Sequence, residues 1–230
     1  MLGNLRAIAF DLDNTLWDIE PVLERAERRL VEWLHENCPR IPERVSLAEM
    51  RAAREQVARD EPERAHDFTY LRMMALGRHA RECGYEEAIA TRAFEIFFRA
   101  RNELELFGDV RPALARLKAR YALATLSNGN ADLTLIGVAE LFPVSLNARQ
   151  IGAAKPDRRC FERLADALRV APQDILYAGD DPWLDVEAAR AAGLRTAWVN
   201  RRRLNWPAGM AEPELTVADC GALADALGCT

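Results

Sequence analysis

Histidine is scarce in this 230-residue chain: His35, His66 and His79 are the only three, and none lies within a few residues of an acidic cluster. That excludes a His-rich metal centre and argues against a Ser-His-Asp triad. Cysteine is hardly richer. Its five residues (Cys38, Cys83, Cys160, Cys220 and Cys229) are odd in number, widely spaced and without a Cys-x-x-Cys pair, so reduced thiols are expected rather than disulfides or a zinc site. There is no basic excess either. The 31 basic and 36 acidic residues leave a net charge of −5, which provides no footprint for nucleic acid or an anionic membrane. No apolar run approaches a membrane span, and Asp11 interrupts the first apolar stretch before a signal-peptide core is complete. A cytoplasmic protein is the expectation.

What is present alternates between two textures. Short β-rich apolar runs occur at Leu5–Phe10, Tyr121–Leu126, Val144–Leu146, Ile175–Ala178 and Thr196–Val199, most followed by a turn signal and a helical pattern. Strand, loop, helix, repeated, predicts an α/β fold: a Rossmann-like parallel sheet flanked by helices, with ligands beyond the carboxyl ends of the strands. Residues 20–105 break the alternation with helical periodicity alone. Val22, Leu23, Ala26, Leu30, Trp33 and Leu34 recur at helical spacing behind Pro21, and Pro39 and Pro42 end that helix. Further helices are expected over Ser46–Arg59, Phe68–Cys83 and Glu86–Leu104. The predicted organisation is a core domain of residues 1–19 and 106–230 interrupted by an all-helical insert of residues 20–105. Arg201–Arg203 reads as a solvated loop, and Pro207–Pro213 as a surface loop before a last strand and helix.

The strand ends carry the chemistry. IAFDLDNTLWD places Asp11 and Asp13 two residues apart at the end of the first strand, where they point to the same side. YALATL runs into Ser127, Asn128 and Gly129, a hydroxyl and a turn with backbone amides suited to an anion. GAAKPD carries Lys155, and ILYAGDDPWLD ends a strand on Asp180 and Asp181, with Asp185 a turn further on. Two carboxylates about 4 Å apart repel by roughly 4 kcal/mol at an effective dielectric of about 20. Asp11, Asp13 and Asp180 together therefore require a cation, and oxygen-only ligands point to Mg²⁺. The hydroxyl, amides and lysine await an anion. A phosphoryl group satisfies both halves.

DLDNT, SNG, the lysine of AAKPD and GDDPWLD resemble, in order, the motifs of the haloacid-dehalogenase-like hydrolase superfamily, over about Leu2–Trp17 and Phe107–Val199. The resemblance implies a phosphatase branch with an inserted helical cap that closes over a small phosphorylated metabolite. It implies Asp11 as the nucleophile that forms an aspartyl-phosphate and Asp13 as the acid and base. Ser127 and Asn128 would hold the phosphoryl oxygens, with Lys155 offsetting their charge. Mg²⁺ would sit on the Asp11 carboxylate, the Asp13 carbonyl and Asp180. Thr15 braces the loop, Asp185 supports the ligands from behind, and Asp181 is either a supporting carboxylate or a helix cap.

Within that family a dehalogenase needs no acid to protonate a departing halide, so Asp13 favours phosphate. A phosphomutase, such as a sugar-phosphate mutase, keeps both aspartates and stays open as the alternative. A phospho-acceptor signalling domain, the non-enzymatic alternative, needs an acceptor Asp at a core strand end between Asp13 and Ser127, and no residue there fits that role. EPERAHDFT and LSNGNADLTLIG are similar to bacterial riboflavin-pathway phosphatases acting on FMN or 5-amino-6-(5-phosphoribitylamino)uracil. That finer resemblance makes Trp17, His66, Tyr70 and Arg72 candidate substrate contacts, against a plainer reading as core, cap and hinge residues.

Overall fold

The computed structural model describes residues 4–229; residues 1–3 and 230, at the ends of the expected core domain, lie outside the described residues. The chain divides into two compact units. One comprises Met1–Asp18, Glu105–Gly129 and Gly137–Thr230, the other Ile19–Leu104 and Asn130–Ile136. Among the described residues no helix is long and apolar enough to cross a membrane.

The first unit is built on six parallel strands: β1 (Ala7–Phe10), β2 (Ala122–Ser127), β3 (Val144–Asn147), β4 (Ile175–Gly179), β5 (Arg195–Val199) and β6 (Leu215–Val217). Their order is β3-β2-β1-β4-β5-β6, with helices on the sheet's faces, as the α/β reading expects. All four residues of β1 are fully buried, which is why this strand reads as an unbroken apolar run rather than an alternating one. From β1 the chain builds outward through β2 and β3, then returns to β4 on β1's other side. The crevice at that reversal lies beyond the carboxyl ends of β1 and β4, where the acidic motifs fall.

Helix Arg158–Leu168 shows how the core is closed. Asp157 caps its first turn, and Cys160, Phe161, Leu164 and Ala165 form a buried stripe. The Phe161 ring meets Tyr177 of β4 edge to face with centroids 5.2 Å apart.

The second unit contains α1 (Glu20–Asn37), α2 (Arg40–Arg44), α3 (Leu47–Asp60), α4 (Phe68–Glu82) and α5 (Ile89–Asn102). Pro21 lies in the first turn of α1, where its missing N–H costs nothing. Ser46 and Glu49 form a reciprocal capping box on α3, and Asp67 caps α4 by accepting from the Tyr70 N–H at 3.0 Å. Buried Ala26, Leu30, Leu34, Ile41, Leu76 and Phe97 form its core. The sequence reading ends the first helix at Pro39 and Pro42; in the structure these prolines instead frame the five-residue α2, with Pro39 preceding its first turn and Pro42 within it. Residues 130–136 join this unit by hydrogen bonds: Asn130 donates to Thr69 Oγ1 at 3.1 Å, and the Asp132 N–H donates to Asn102 Oδ1 at 2.8 Å.

Candidate active site

Asp11 is the first residue beyond β1, and its N–H still donates to the Ala178 carbonyl of β4 at 2.9 Å. The chain then turns sharply, because the Leu12 carbonyl accepts from the N–H groups of Thr15 and Leu16 at 3.2 and 2.8 Å. Asn14 takes a left-handed φ of 62°, which asparagine tolerates better than most residues. This turn, rather than strand alternation, sets the place of Asp13. β1 stops at Phe10, so strand alternation no longer governs Asp13, and its Oδ1 accepts the Trp17 indole N–H at 2.7 Å.

The carboxylates of Asp11, Asp180 and Asp185 do converge, each offering an oxygen within 4.8 Å of the others. Lys155 Nζ lies among them, donating to Asp11 Oδ1 at 2.6 Å, Asp185 Oδ1 at 2.5 Å and the Tyr177 hydroxyl at 2.9 Å. The Tyr177 hydroxyl in turn donates to the Leu126 carbonyl at 2.7 Å. Nothing about the apolar run ILYAG signals that a hydroxyl from the middle of β4 reaches the lysine. Asn128 fixes the lysine's backbone from both sides, accepting from Lys155 N at 2.7 Å and donating to Lys155 O at 2.9 Å. Ser127, the last residue of β2, is 2% exposed, and its Oγ accepts from the Gly129 N–H at 3.0 Å.

Electrostatics follow from this crowding. Burial raises the Asp11 carboxyl well above its ordinary range; Lys155 opposes that rise, while Asp185 and Asp180 reinforce it. Burial, then Asp185, pushes Asp180 up to about 7. For Lys155 burial works against the ammonium, but the Asp11 and Asp185 carboxylates outweigh it, and its pKa rises well above the usual lysine value. Three carboxylates facing one ammonium leave an excess of negative charge. Oxygen donors of this kind suit a hard divalent cation.

Asp185 thus stands with the candidate ligands rather than behind them; it is 1% exposed, and its Oδ2 also accepts the Asp181 N–H at 3.0 Å. Asp181 is a cap, its Oδ1 accepting from the N–H groups of Trp183 and Leu184, both at 2.8 Å. Thr15 Oγ1 reaches Asp180 Oδ1 at 3.4 Å, a long brace. Arg201 is no solvated charge: it donates to the Thr15 carbonyl at 2.8 Å, pairs with both oxygens of Asp109 at 2.9 and 3.0 Å, and lies 4.0 Å from the Phe107 ring centre.

The candidate substrate contacts fare differently. Trp17 is fully buried, and its indole N–H is taken up by Asp13. In the second unit the Tyr70 hydroxyl donates to Glu61 at 2.6 Å, and Arg72 is buried over the Phe97 ring at 3.4 Å. The plainer structural reading fits these three. His66 is half-buried.

Residues 5–193 match the family model described as haloacid dehalogenase-like hydrolase. The chain is 30% identical over 202 residues to the 5-amino-6-(5-phospho-D-ribitylamino)uracil phosphatase YigB of Escherichia coli, covering 86% of this chain and 84% of that protein. It is 37% identical over 144 residues to a phosphoserine phosphatase of Thermus thermophilus, covering 60% and 57%. Among solved structures, a 2-haloacid dehalogenase from Pseudomonas syringae superposes with a TM-score of 0.92 at 29% identity, over 97% of this chain and 98% of that one. The chain belongs to the haloacid dehalogenase-like hydrolases.

Proposed function

We propose that this protein is a Mg²⁺-dependent phosphomonoesterase acting on a small phosphorylated metabolite, with the helical unit in the role of the cap. Asp11 attacks phosphorus, forming an aspartyl-phosphate as the bond to the leaving oxygen breaks. Asp13 gives that oxygen its proton, then takes one from the water that attacks the aspartyl-phosphate, and phosphate leaves with Asp11 restored. The Trp17 N–H holds one Asp13 oxygen and so sets the carboxyl's orientation. Ser127 and the Asn128 amide receive the phosphoryl oxygens, while Lys155 neutralises charge on nucleophile and phosphate.

Asp11, Asp180 and Asp185, with the Asp13 carbonyl, would hold the Mg²⁺, which would supply charge stabilisation to the phosphoryl oxygens. The observation that carries the reading is the convergence of three buried or half-buried carboxylates on one ammonium, an imbalance that a divalent cation and a phosphate would together resolve.

A haloacid dehalogenase is the second reading, favoured by the likeness to the Pseudomonas syringae enzyme. Displacing halide from carbon needs neither a cation nor a proton donor for the leaving group. The surplus carboxylates and Asp13 weigh against it. The name of the Escherichia coli relative supports 5-amino-6-(5-phosphoribitylamino)uracil as substrate, and the EPERAHDFT and LSNGNADLTLIG stretches keep FMN beside it.

Phosphate release from a metabolite panel including FMN, sugar phosphates and nucleotides, with Mg²⁺ or with EDTA, tests this against halide release from 2-haloacids. Metal-dependent phosphate release is expected. Halide release unaffected by EDTA, with no phosphate from any ester, would overturn the proposal.

A further inference from the structure

The helical unit contains a second charge cluster, opposite in sign to the first and unused by the proposed chemistry. Glu27 on α1 is 3% exposed, and three guanidinium groups converge on it. From α3, Arg51 donates through Nε at 3.1 Å and also through Nη2, and Arg54 Nη2 reaches it at 3.4 Å. From α4, Arg72 Nη2 comes no closer than 3.9 Å. Glu24 also acts on Arg51 and Glu55 on Arg54, whereas Arg72 has only the shared Glu27 to offset it, so the positive surplus falls on Arg72.

Arg51 is half exposed and solvates its share, whereas the Arg72 side chain is only 10% exposed. The residue as a whole is 8% exposed, lies over Phe97, and among the described residues donates no hydrogen bond. Burial and then the neighbouring Arg54 charge work against its protonated form. His79 follows seven residues later on the same face of α4. It too is 8% exposed, and neither ring nitrogen makes a hydrogen bond; a Glu82 oxygen lies 3.5 Å from Nδ1 without the alignment for one. Arg72 and His79 line one cavity with Glu27, Arg51 and Arg54, walled by apolar residues such as Leu30 and Leu76. Its volume of about 10 Å³ admits a single small species.

The chemistry of that species is restricted. A cation would add to the surplus, a phosphate is too large, and a water accepts at most two N–H donors without cancelling charge. A halide-sized anion accepts several donors and neutralises the guanidinium groups. We propose that this cavity binds a single small inorganic anion, typified by chloride, held by Arg54, Arg72 and His79 and rimmed by Arg51. Bound there, it ties α1, α3 and α4 together and makes the stability of the folded chain depend on anion concentration.

Thermal melting of the full chain in sodium chloride, bromide or gluconate, at equal ionic strength and fixed pH, tests this. Chloride and bromide should raise the melting temperature saturably by a few degrees relative to gluconate, which is too large to enter. Arg72→Met should abolish the difference, and the exposed Arg92→Met should keep it. Equal melting in all three salts, or a halide effect intact in Arg72→Met, would overturn the proposal. Should Arg72→Met not fold, bromide-soaked crystals of the unaltered protein decide: an anomalous peak between Arg72 and His79 supports the site, and a water or no peak there overturns it.

Discussion

Lys155 binds the site together: one ammonium bridges the carboxylates of Asp11 and Asp185 and the Tyr177 hydroxyl, while Asn128 clamps its backbone. Asp13 stands apart from that knot, and its separate role gives a separate prediction. Asp13→Asn should lower kcat for phosphate release by about 10²–10⁴-fold with the fold unchanged, because an amide can neither donate to the leaving oxygen nor take a proton from water. Steady-state kinetics beside a melting curve check this, and turnover at the unaltered rate would require a different acid. The carboxyls raised in the folded chain predict a pH dependence. With Asp180 at about 7 against an ordinary 3.8, and Asp11 shifted in the same direction, the folded chain binds these protons more tightly than the unfolded one. That stabilisation is complete below the ordinary value and lost as pH rises through about 7. The metal-free melting temperature should therefore fall between about pH 5 and about pH 8, and Mg²⁺ should restore it at the upper end. A melting temperature indifferent to Mg²⁺ at that end would contradict the assignment of these carboxylates.

Gly179, at the end of β4, illustrates how an element rather than a single group builds the site. A Cβ there would lie 2.3 Å from Asp185 Oδ2 and 2.6 Å from Asp185 Cβ, so any side chain would expel the aspartate. Gly179→Ala should cost about 1–3 kcal/mol of stability and reduce Mg²⁺-dependent turnover at least as severely as an Asp185 substitution. Melting and kinetics of both variants test it; unaltered Gly179→Ala activity would mean that Asp185 is dispensable. The strands themselves were legible because buried parallel strands are continuous apolar runs, as β1 is. The setting of Asp185 was not. Residues Pro182–Glu187 wind as a π-helical turn, with the Val186 N–H reaching back to the Asp181 carbonyl at 3.2 Å, and this wider turn keeps Asp185 beneath the end of β4. Nothing in PWLDVE distinguishes that winding from an α-helical turn. Arg201 was equally opaque, since an arginine in a basic loop carries no sign that its partner Asp109 lies 92 residues away.

Over the whole molecule, the alternation of strand and helix and the break at about residue 20 could be read directly, because burial on both faces of a sheet and on one stripe of a helix leaves different periodicities. The attachment of residues 130–136 to the helical unit could not, as it depends on Asn130 and Asp132 finding Thr69 and Asn102, distant in the chain. Substrate contacts were the least legible: Trp17, Tyr70 and Arg72 have internal partners that only the folded chain reveals. The three strand-end motifs and the loop carrying Lys155, in contrast, lie where a parallel sheet collects them, and Asp11 is the residue on which the proposed activity depends. The most direct test is Mg²⁺-dependent phosphate release by the unaltered protein and by Asp11→Asn, with the variant's fold checked by melting. A loss of at least about a thousandfold is expected in a variant that still folds, since the side-chain amide cannot form the covalent phosphoryl intermediate. Phosphate release by a folded Asp11→Asn at a rate near that of the unaltered protein would contradict it.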